Sequence, residues 1–310
     1  MSYVFGPVPS RRLGYSLGVD IVPDKHCTQN CVYCQIGRTK DVTVERRSFF
    51  PVADVLRAIA GALATGKKID YVTFSGSGEP TLNKDLGKLI RGTRKLTNTK
   101  TCLLTNGTMF FDRQVRAEAA LADLVVPSLD AGSEEVYRRV CRPHPSLTLE
   151  KLVGGLVAFR EQYKGPIWLE VMLVRGLNDA PDELERIKKL AERIRPDKIQ
   201  LNTVARPPQD PSARPLPTLN LERIRRIFGP NAEVISGFDR REQRIGEPDL
   251  ALSILELIRR RSVTMGDIVA AMGVTRQEAQ AAVEGLIAES RIKKVVHGAR
   301  TFYREDFEGG

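Results

Sequence analysis

An α/β fold built on a parallel sheet, followed by a smaller unit of helices and a two-stranded ribbon, is what the sequence predicts. Three observations carry it. Short apolar runs alternate with helical patterns from about residue 17 to residue 229. A polar stretch at 237–248 then breaks that rhythm, and residues 249–310 follow a different one. Strands are expected at 17–21, 71–75, 101–105, 124–129, 167–174 and 198–204, because each is a short run of β-branched and apolar residues bounded by turn formers. Helices are expected at 51–65, 84–96, 113–121, 133–140 with 148–163, 181–194 and 219–228. Six strands each followed by a helix argue for parallel pairing with right-handed crossovers, although spacing alone does not separate an open sheet from a barrel. Residues 205–220 hold five prolines and read as a loop beyond the sixth strand, at the carboxyl ends where such folds place their sites.

One more strand is expected at 232–235, and a linker at 237–248. Helices at 249–261, at 267–272 and from Thr275, then two strands flanking His297 and Gly298, make a winged-helix pattern. The expected division is therefore 1–236, a linker at 237–248, and a winged-helix-like domain at 249–310.

At 42% hydrophobic and 28% charged residues, the 310-residue chain has an ordinary globular composition, which excludes collagen-like and largely disordered classes. No apolar run approaches the ~18 residues of a membrane span. The N-terminus lacks the apolar core of a secretory signal, so a cytoplasmic location is expected. The net charge of +10 is uneven: residues 1–245 carry a formal +11 and residues 246–310 a formal −1. An anionic partner is expected to meet the larger section. The third helix of the tail sets Arg276 against Glu278, Glu284 and Glu289, which makes it a poor DNA reader. Only the ribbon is basic, so a protein-contact role for the tail is favoured over RNA contact through Arg291, Lys293, Lys294 and Arg300.

Five cysteines are too few for a disulfide scaffold, and three of them, Cys27, Cys31 and Cys34, fall in one CxxxCxxC stretch. Three thiolates from one loop can hold three irons of a 4Fe–4S cube and leave the fourth open to another ligand. A structural zinc site with His26 as fourth ligand is the alternative, although adjacent His and Cys ligands are unusual for zinc.

The CxxxCxxC, with Tyr33 before its last cysteine, resembles the cluster loop of the radical S-adenosylmethionine (SAM) superfamily. The segment Ser75-Gly76-Ser77-Gly78-Glu79-Pro80-Thr81 is similar to that superfamily's glycine-rich, Glu-containing stretch, and it follows in the right order. The resemblance covers residues 5–230 and implies a partial (β/α)6 barrel, one 4Fe–4S cluster, and SAM cleaved by one electron to a hydrogen-abstracting 5′-deoxyadenosyl radical. It implies Cys27, Cys31 and Cys34 as iron ligands, and Gly76, Gly78, Glu79 and Pro80 at the methionine end of SAM. Further cofactor contacts are expected from Tyr33 in the loop and from strand ends and inward-facing positions: Thr105, Asn106, Ser128, Asp130, Glu170, Met172, Arg175, Gln200 and Asn202. Glu170 and Gln200 fit equally well as satisfied core polar groups.

The stretches FGPVPSRRLG, GEPTLN, LVRGLND and LNTVARPP resemble a branch of iron–sulfur oxidoreductases that is compared with wyosine-forming tRNA enzymes. Those enzymes carry a second cluster on upstream cysteines, and here no cysteine precedes Cys27. RNA, or else a protein, peptide or small metabolite, is the expected substrate; flavodoxin or ferredoxin is the expected reductant. An iron–sulfur redox-sensing regulator is the remaining alternative. Cys102 is expected in the core. Cys141, near Arg142 and His144, is expected either to reach the barrel mouth as a hydrogen donor or covalent carrier, with its pKa lowered, or to be a bystander. Arg11, Arg12, Arg46, Arg47, Arg138, Arg139 and Arg206 are candidates for an anion-binding rim, or are simply solvated.

Overall fold

The computed structural model describes residues 3–235 and 250–306, apart from residues 11, 24 and 261 and the side chains of Glu256 and Arg260. The expected linker at 237–248, and Arg11 of the expected rim, lie outside the described residues. The chain opens with an antiparallel hairpin, β1 (Val4–Ser10) and β2 (Gly14–Val19). Two short parallel-paired strands, β3 (His26–Cys27) and β4 (Asp41–Val42), bracket the cysteine loop. Then follow α1 (Val52–Leu63), β5 (Tyr71–Phe74), α2 (Leu86–Leu96), β6 (Lys100–Thr105), α3 (Arg113–Ala119) and β7 (Leu124–Pro127). Next come α4 (Glu134–Val140), α5 (Leu149–Gln162), β8 (Trp168–Leu173), α6 (Pro181–Ile194), β9 (Lys198–Thr203), α7 (Thr218–Phe228) and β10 (Ala232–Val234). The tail holds α8 (Leu250–Arg260), α9 (Met265–Met272), α10 (Arg276–Ala288), β11 (Ile292–His297) and β12 (Arg300–Glu305).

All six expected parallel strands are present, as β2, β5, β6, β7, β8 and β9. They form two sheets, β1-β2-β5-β6-β7 and β10-β9-β8. Single bridges Val125–Ile167 and Ser128–Glu170 join β7 to β8, and Leu129 N donates to Glu170 O at 2.9 Å. Each parallel strand therefore lies beside the next in sequence, with none of the order reversal of a doubly wound sheet, which settles the choice in favour of a partial barrel. The strand β1 was not expected. Its Gly6 and Pro7, joined by a cis peptide bond, obscure the pattern, and it pairs antiparallel at the barrel's edge.

The main core packs Leu17, Val72, Leu103, Val125, Leu169 and Leu201 of the strands under Ile59, Leu89, Ile90, Phe159 and Ile187 of the helices. Gly155 on α5 lets that helix lie directly on the backbone at Phe110 and Phe111, where a Cβ would fall 2.6 Å from Phe110 C. Glu183 of α6, almost wholly buried, accepts from Gly132 N (2.6 Å), Ser133 N (3.1 Å) and Ser133 Oγ (2.9 Å), so it serves the start of α4 from a neighbouring helix.

The tail has its own core of Ile254, Leu255, Ile258, Ile268, Val283, Leu286 and Ile292, which Val8 of β1 joins. Its helices α9 and α10 each start with a capping box, at Thr264/Asp267 and Thr275/Glu278. His297 at the end of β11 bonds Val204 O, just past β9, at 2.8 Å. The tail thus touches both the first strand and the end of the sixth parallel strand of the barrel.

Gly155→Ala is expected to lower stability by about 1–3 kcal/mol through overpacking. Gly154→Ala, where the added Cβ meets nothing within 4 Å, is expected to raise it by about 0.5–1 kcal/mol. Thermal unfolding of the two variants, which change adjacent residues with opposite sign, checks the α5 packing.

Candidate active site

The loop between β3 and β4 has little regular structure, and its shape comes from backbone hydrogen bonds to two distant segments. Val32 N donates to Val140 O (2.9 Å), Asn30 N to Cys141 O (3.1 Å) and His144 N to Thr28 O (2.9 Å). From the other side, Gln209 N donates to Cys34 O (2.8 Å) and Asp210 N to Val32 O (3.1 Å). So held, Cys27, Cys31 and Cys34 all line one cavity of about 290 Å³ at the carboxyl ends of the strands. Burial pushes the Cys27 and Cys34 thiols up, with the charge of Glu79 adding to the effect at Cys27 and that of Cys31 at Cys34. Such thiols hold their protons in the metal-free protein and release them when a metal binds.

The zinc alternative fails on His26. Its Nδ1 faces Pro23 O at 2.8 Å, and its Nε2 is engaged by Arg47 and lies 3.5 Å from Asp41. Among the described residues no three His, Cys, Asp or Glu side chains converge as on a single ion. A cube requires no such convergence, because each thiolate meets a different iron.

Across the cavity, Gly76, Ser77 and Gly78 contribute backbone wall after β5. Gly76 has φ +143°, and a Cβ there would meet the Asp20 carboxylate at 2.3 Å; a Cβ on Gly78 would meet His26 O at 2.1 Å. Asp20 uses that closeness to accept from Ser77 Oγ at 2.6 Å. Glu79 is placed differently from the glycines. Its carboxylate, only 2% exposed, accepts from Thr81 N (3.1 Å), Thr81 Oγ1 (2.6 Å), Thr105 Oγ1 (2.6 Å) and Asn106 N (2.8 Å). It lies behind the cavity wall and locks the glycine segment to the end of β6, with Pro80 buried at the start of a 3-10 turn, Pro80–Leu82. Burial still raises its pKa. Thr105 is committed to Glu79, so neither it nor Asn106 faces the cavity. Asn106 instead reaches Cys27 Sγ at 3.5 Å and Thr28 Oγ1 at 2.7 Å, placing an amide donor on a cluster-loop sulfur.

Tyr33 lines the cavity and donates to buried Asp130, whose other oxygen accepts from Met172 N at 2.8 Å. Asp130 is therefore a clasp between the cysteine loop and β8, not an open ribose ligand, and burial raises its pKa to about 7. Ser128 lies on the β7–β8 bridge, outside the cavity. Cys141 is 2% exposed, beneath Cys31 and 3.9 Å from Asp130. The neighbouring Cys31 and burial raise its pKa, the opposite of the expected activation, and it does not line the cavity. Cys102 is in the core as expected. Arg175 is exposed in the turn after β8 and away from the cavity.

Glu170, Met172 and Asn202 do line the cavity, as their alternation on β8 and β9 required. Glu170 pairs with Arg12 at 2.8 Å and accepts from Asn202 at 3.1 Å. Gln200, fully buried, links Arg12 (3.2 Å) to Glu233 (2.8 Å) and is the satisfied core group of the two options. The sequence offers Arg12 as a candidate for the anion-binding rim or as a solvated residue, not as a partner of Glu170. The inward carboxylate of Glu170 was the signal, since such a group requires a cation nearby. The expected rim does not form as one patch. Arg46 is tied to Glu118 and to Thr81 O, Arg138 to Glu134, Arg139 to Leu177 O and Arg47 to His26, leaving Arg12 and Arg206 on the cavity.

A singly wound partial barrel with three loop cysteines facing a glycine-walled cavity defines an iron–sulfur, SAM-using class of enzyme. The chain belongs to the radical SAM superfamily, whose family profile matches residues 21–204. It is an enzyme of that superfamily and uses a 4Fe–4S cluster and SAM. Over 230 residues it is 36% identical to the UPF0026 protein of Methanocaldococcus jannaschii, covering 74% of this chain and 71% of that one. Over 231 residues it is 40% identical to a Brachyspira hyodysenteriae protein named GTPase Obg, covering 74% of this chain but spanning only 34% of that longer relative. The structure of TYW1 with a lysine-pyruvate adduct bound aligns with a TM-score of 0.52 at 22% identity, over 74% of this chain and 76% of that one, a likeness of fold. No helix among the described residues is long and apolar enough to cross a membrane.

Because the folded Asp130 holds its proton up to about pH 7, whereas an unfolded Asp releases it near pH ~4, the folded chain binds more protons in that window. Stability is expected to fall as pH rises from about 4 to 7. Glu79, raised in the same direction, adds to the slope. Urea unfolding across that range is expected to show a shallower pH dependence for Asp130→Asn than for wild type.

Proposed function

We propose that Cys27, Cys31 and Cys34 bind the cluster and that the Gly76–Gly78 backbone receives the methionine end of SAM. The observation that carries this is the shared cavity: all three cysteines, Tyr33, Gly76, Gly78, Glu170, Met172 and Asn202 line it together. When bound there, the cluster and SAM would supply one-electron chemistry and a 5′-deoxyadenosyl radical for hydrogen abstraction from substrate. The chain's own residues do the positioning. Asp20 and Glu79 hold the glycine segment from either side, Tyr33 and Asp130 fix the loop against β8, and Asn106 donates toward Cys27. Glu170, Met172 and Asn202 face where the nucleoside would lie, with Glu170 held by Arg12.

The tail, with three helices and a ribbon, is proposed to be a winged-helix-like domain that serves protein contact. Glu278 and Glu284 on α10 disfavour a DNA-reading regulator. A cytoplasmic oxidoreductase role, with flavodoxin or ferredoxin as electron donor, accords with the low-potential chemistry. The positive excess of residues 1–245 supports an anionic substrate, whether RNA or a smaller molecule.

Anaerobic reconstitution with iron and sulfide, followed by SAM and dithionite, is expected to yield 5′-deoxyadenosine. Cys34→Ala is expected to lose that product together with most cluster absorbance, while Cys102→Ala retains both. Undiminished product from Cys34→Ala would overturn the ligand assignment.

A further inference from the structure

A second cavity, of about 770 Å³, opens beside the cofactor site. Its walls come from residues 35–38 just after the last loop cysteine, from residues 207–211, and from α8 and β12 of the tail. It shares Lys25, Gln35, Ile36 and Gly37 with the smaller cavity, so the two meet along one wall.

Its charge is one-sided. Among the described residues, Lys25, Arg38, Arg142, Arg259 and Arg304 line it, against Asp210 and Glu305. Both carboxylates are bonded to wall arginines, Asp210 to Arg142 at 2.8 Å and Glu305 to Arg259 at 3.0 Å. A concave, cation-lined surface of this kind focuses the field on an anion.

Its polar atoms are also incomplete. Among the described residues, the buried side-chain atoms lacking a hydrogen-bond partner are Gln209 Oε1, Ser262 Oγ and Arg304 Nε. All three belong to residues that line this cavity, and Ser262 is 2% exposed. Buried groups left unmet are costly, so their gathering on one wall marks where a ligand belongs. Lys25 (φ 59°) and Arg142 (φ 45°) are held in the left-handed region, a strain that collects at ligand sites.

We propose that this cavity binds a small organic anion bearing a phosphate or carboxylate together with a hydroxyl or amino group, and that this molecule is the substrate. The proposal rests on the assignment of the neighbouring cavity to the cluster and SAM. Arg304 Nε and Ser262 Oγ donate to the anionic group, and Gln209 Oε1 accepts from the hydroxyl or amine. Inorganic phosphate offers the anionic group without an organic hydroxyl or amine beside it. Among the described residues the lining includes no aromatic ring for base stacking, which disfavours single-stranded RNA. Its volume lies within the ~300–1,000 Å³ of small-ligand sites.

The test is anaerobic calorimetry on the reconstituted full chain, with ribose 5-phosphate, O-phosphoserine and citrate as organic probes. Inorganic phosphate and a short single-stranded RNA serve as comparators. At least one organic probe is expected to bind with Kd of about 1 mM or lower, at least about tenfold tighter than phosphate. Arg304→Gln on the tail wall and Arg142→Gln on the barrel wall are each expected to weaken it about tenfold or more. If Arg304→Gln melts early, Arg142→Gln, half exposed on the barrel, decides alone. Failure of all three organic probes to bind below about 10 mM, or binding unchanged in the folded variants, overturns the proposal. So does RNA binding that is lost in the variants and not displaced by the organic probes. Formation of 5′-deoxyadenosine by the wild type, measured without probe, is scored separately: its absence at full cluster loading counts against the radical SAM assignment, and the binding result against this cavity alone.

Discussion

Three cysteines must face a common space from a loop that has almost no regular structure of its own, and the rest of the site depends on how that loop is held. Its carbonyls and amides are taken up by residues 140–144 after α4 and by residues 209–210 after β9. Those segments follow different strands, β7 by way of α4 and β9 directly, so the cysteine loop keeps its shape only when both are in place. Backbone hydrogen bonding satisfies the buried polar groups of the loop while leaving the sulfurs to face the cavity.

Buried carboxylates make the second layer of support. Glu79 and Asp130 each bind a piece of loop to a strand end, and each does so from behind the cavity wall. The raised pKa values fit this role, because burial outweighs the donated hydrogen bonds and no cation is supplied to either. In the open barrel interior the arrangement differs: Glu170 is met by Arg12 and contributes a charged pair to the cavity surface. Position in the fold, not residue type, decides which acid is a strut and which is a surface group.

Much of this was legible in the sequence because the strand and helix periods are clean and the cysteine spacing is specific. The six parallel strands, the helix over Pro181–Ile194 and the inward faces of Glu170, Met172 and Asn202 all follow from alternation. What was not legible depends on long-range partners. Nothing local tells that Glu79 will spend its oxygens on Thr105 and Asn106, or that Cys141 will lie beneath Cys31. Arg12 follows a hairpin strand that the Gly6-Pro7 sequence conceals, so its inward turn was hidden with the strand itself. The closeness of Asp20 to Gly76 likewise gives that glycine a steric reason that sequence reading had assigned to the ligand.

The partial barrel has two free margins, β1 on one side and β10 beside β9 on the other. The tail contributes its apolar core to Val8 on the first margin and His297 to the carbonyl of Val204 near the second. It therefore works as a buckle: the separation of its two attachment points sets how far the margins stand apart. Because the chain runs on from Val204 to residues 209–210, whose amides hold the carbonyls of Cys34 and Val32, a shift of the tail at the Val204 attachment would be passed on to the cysteine loop itself.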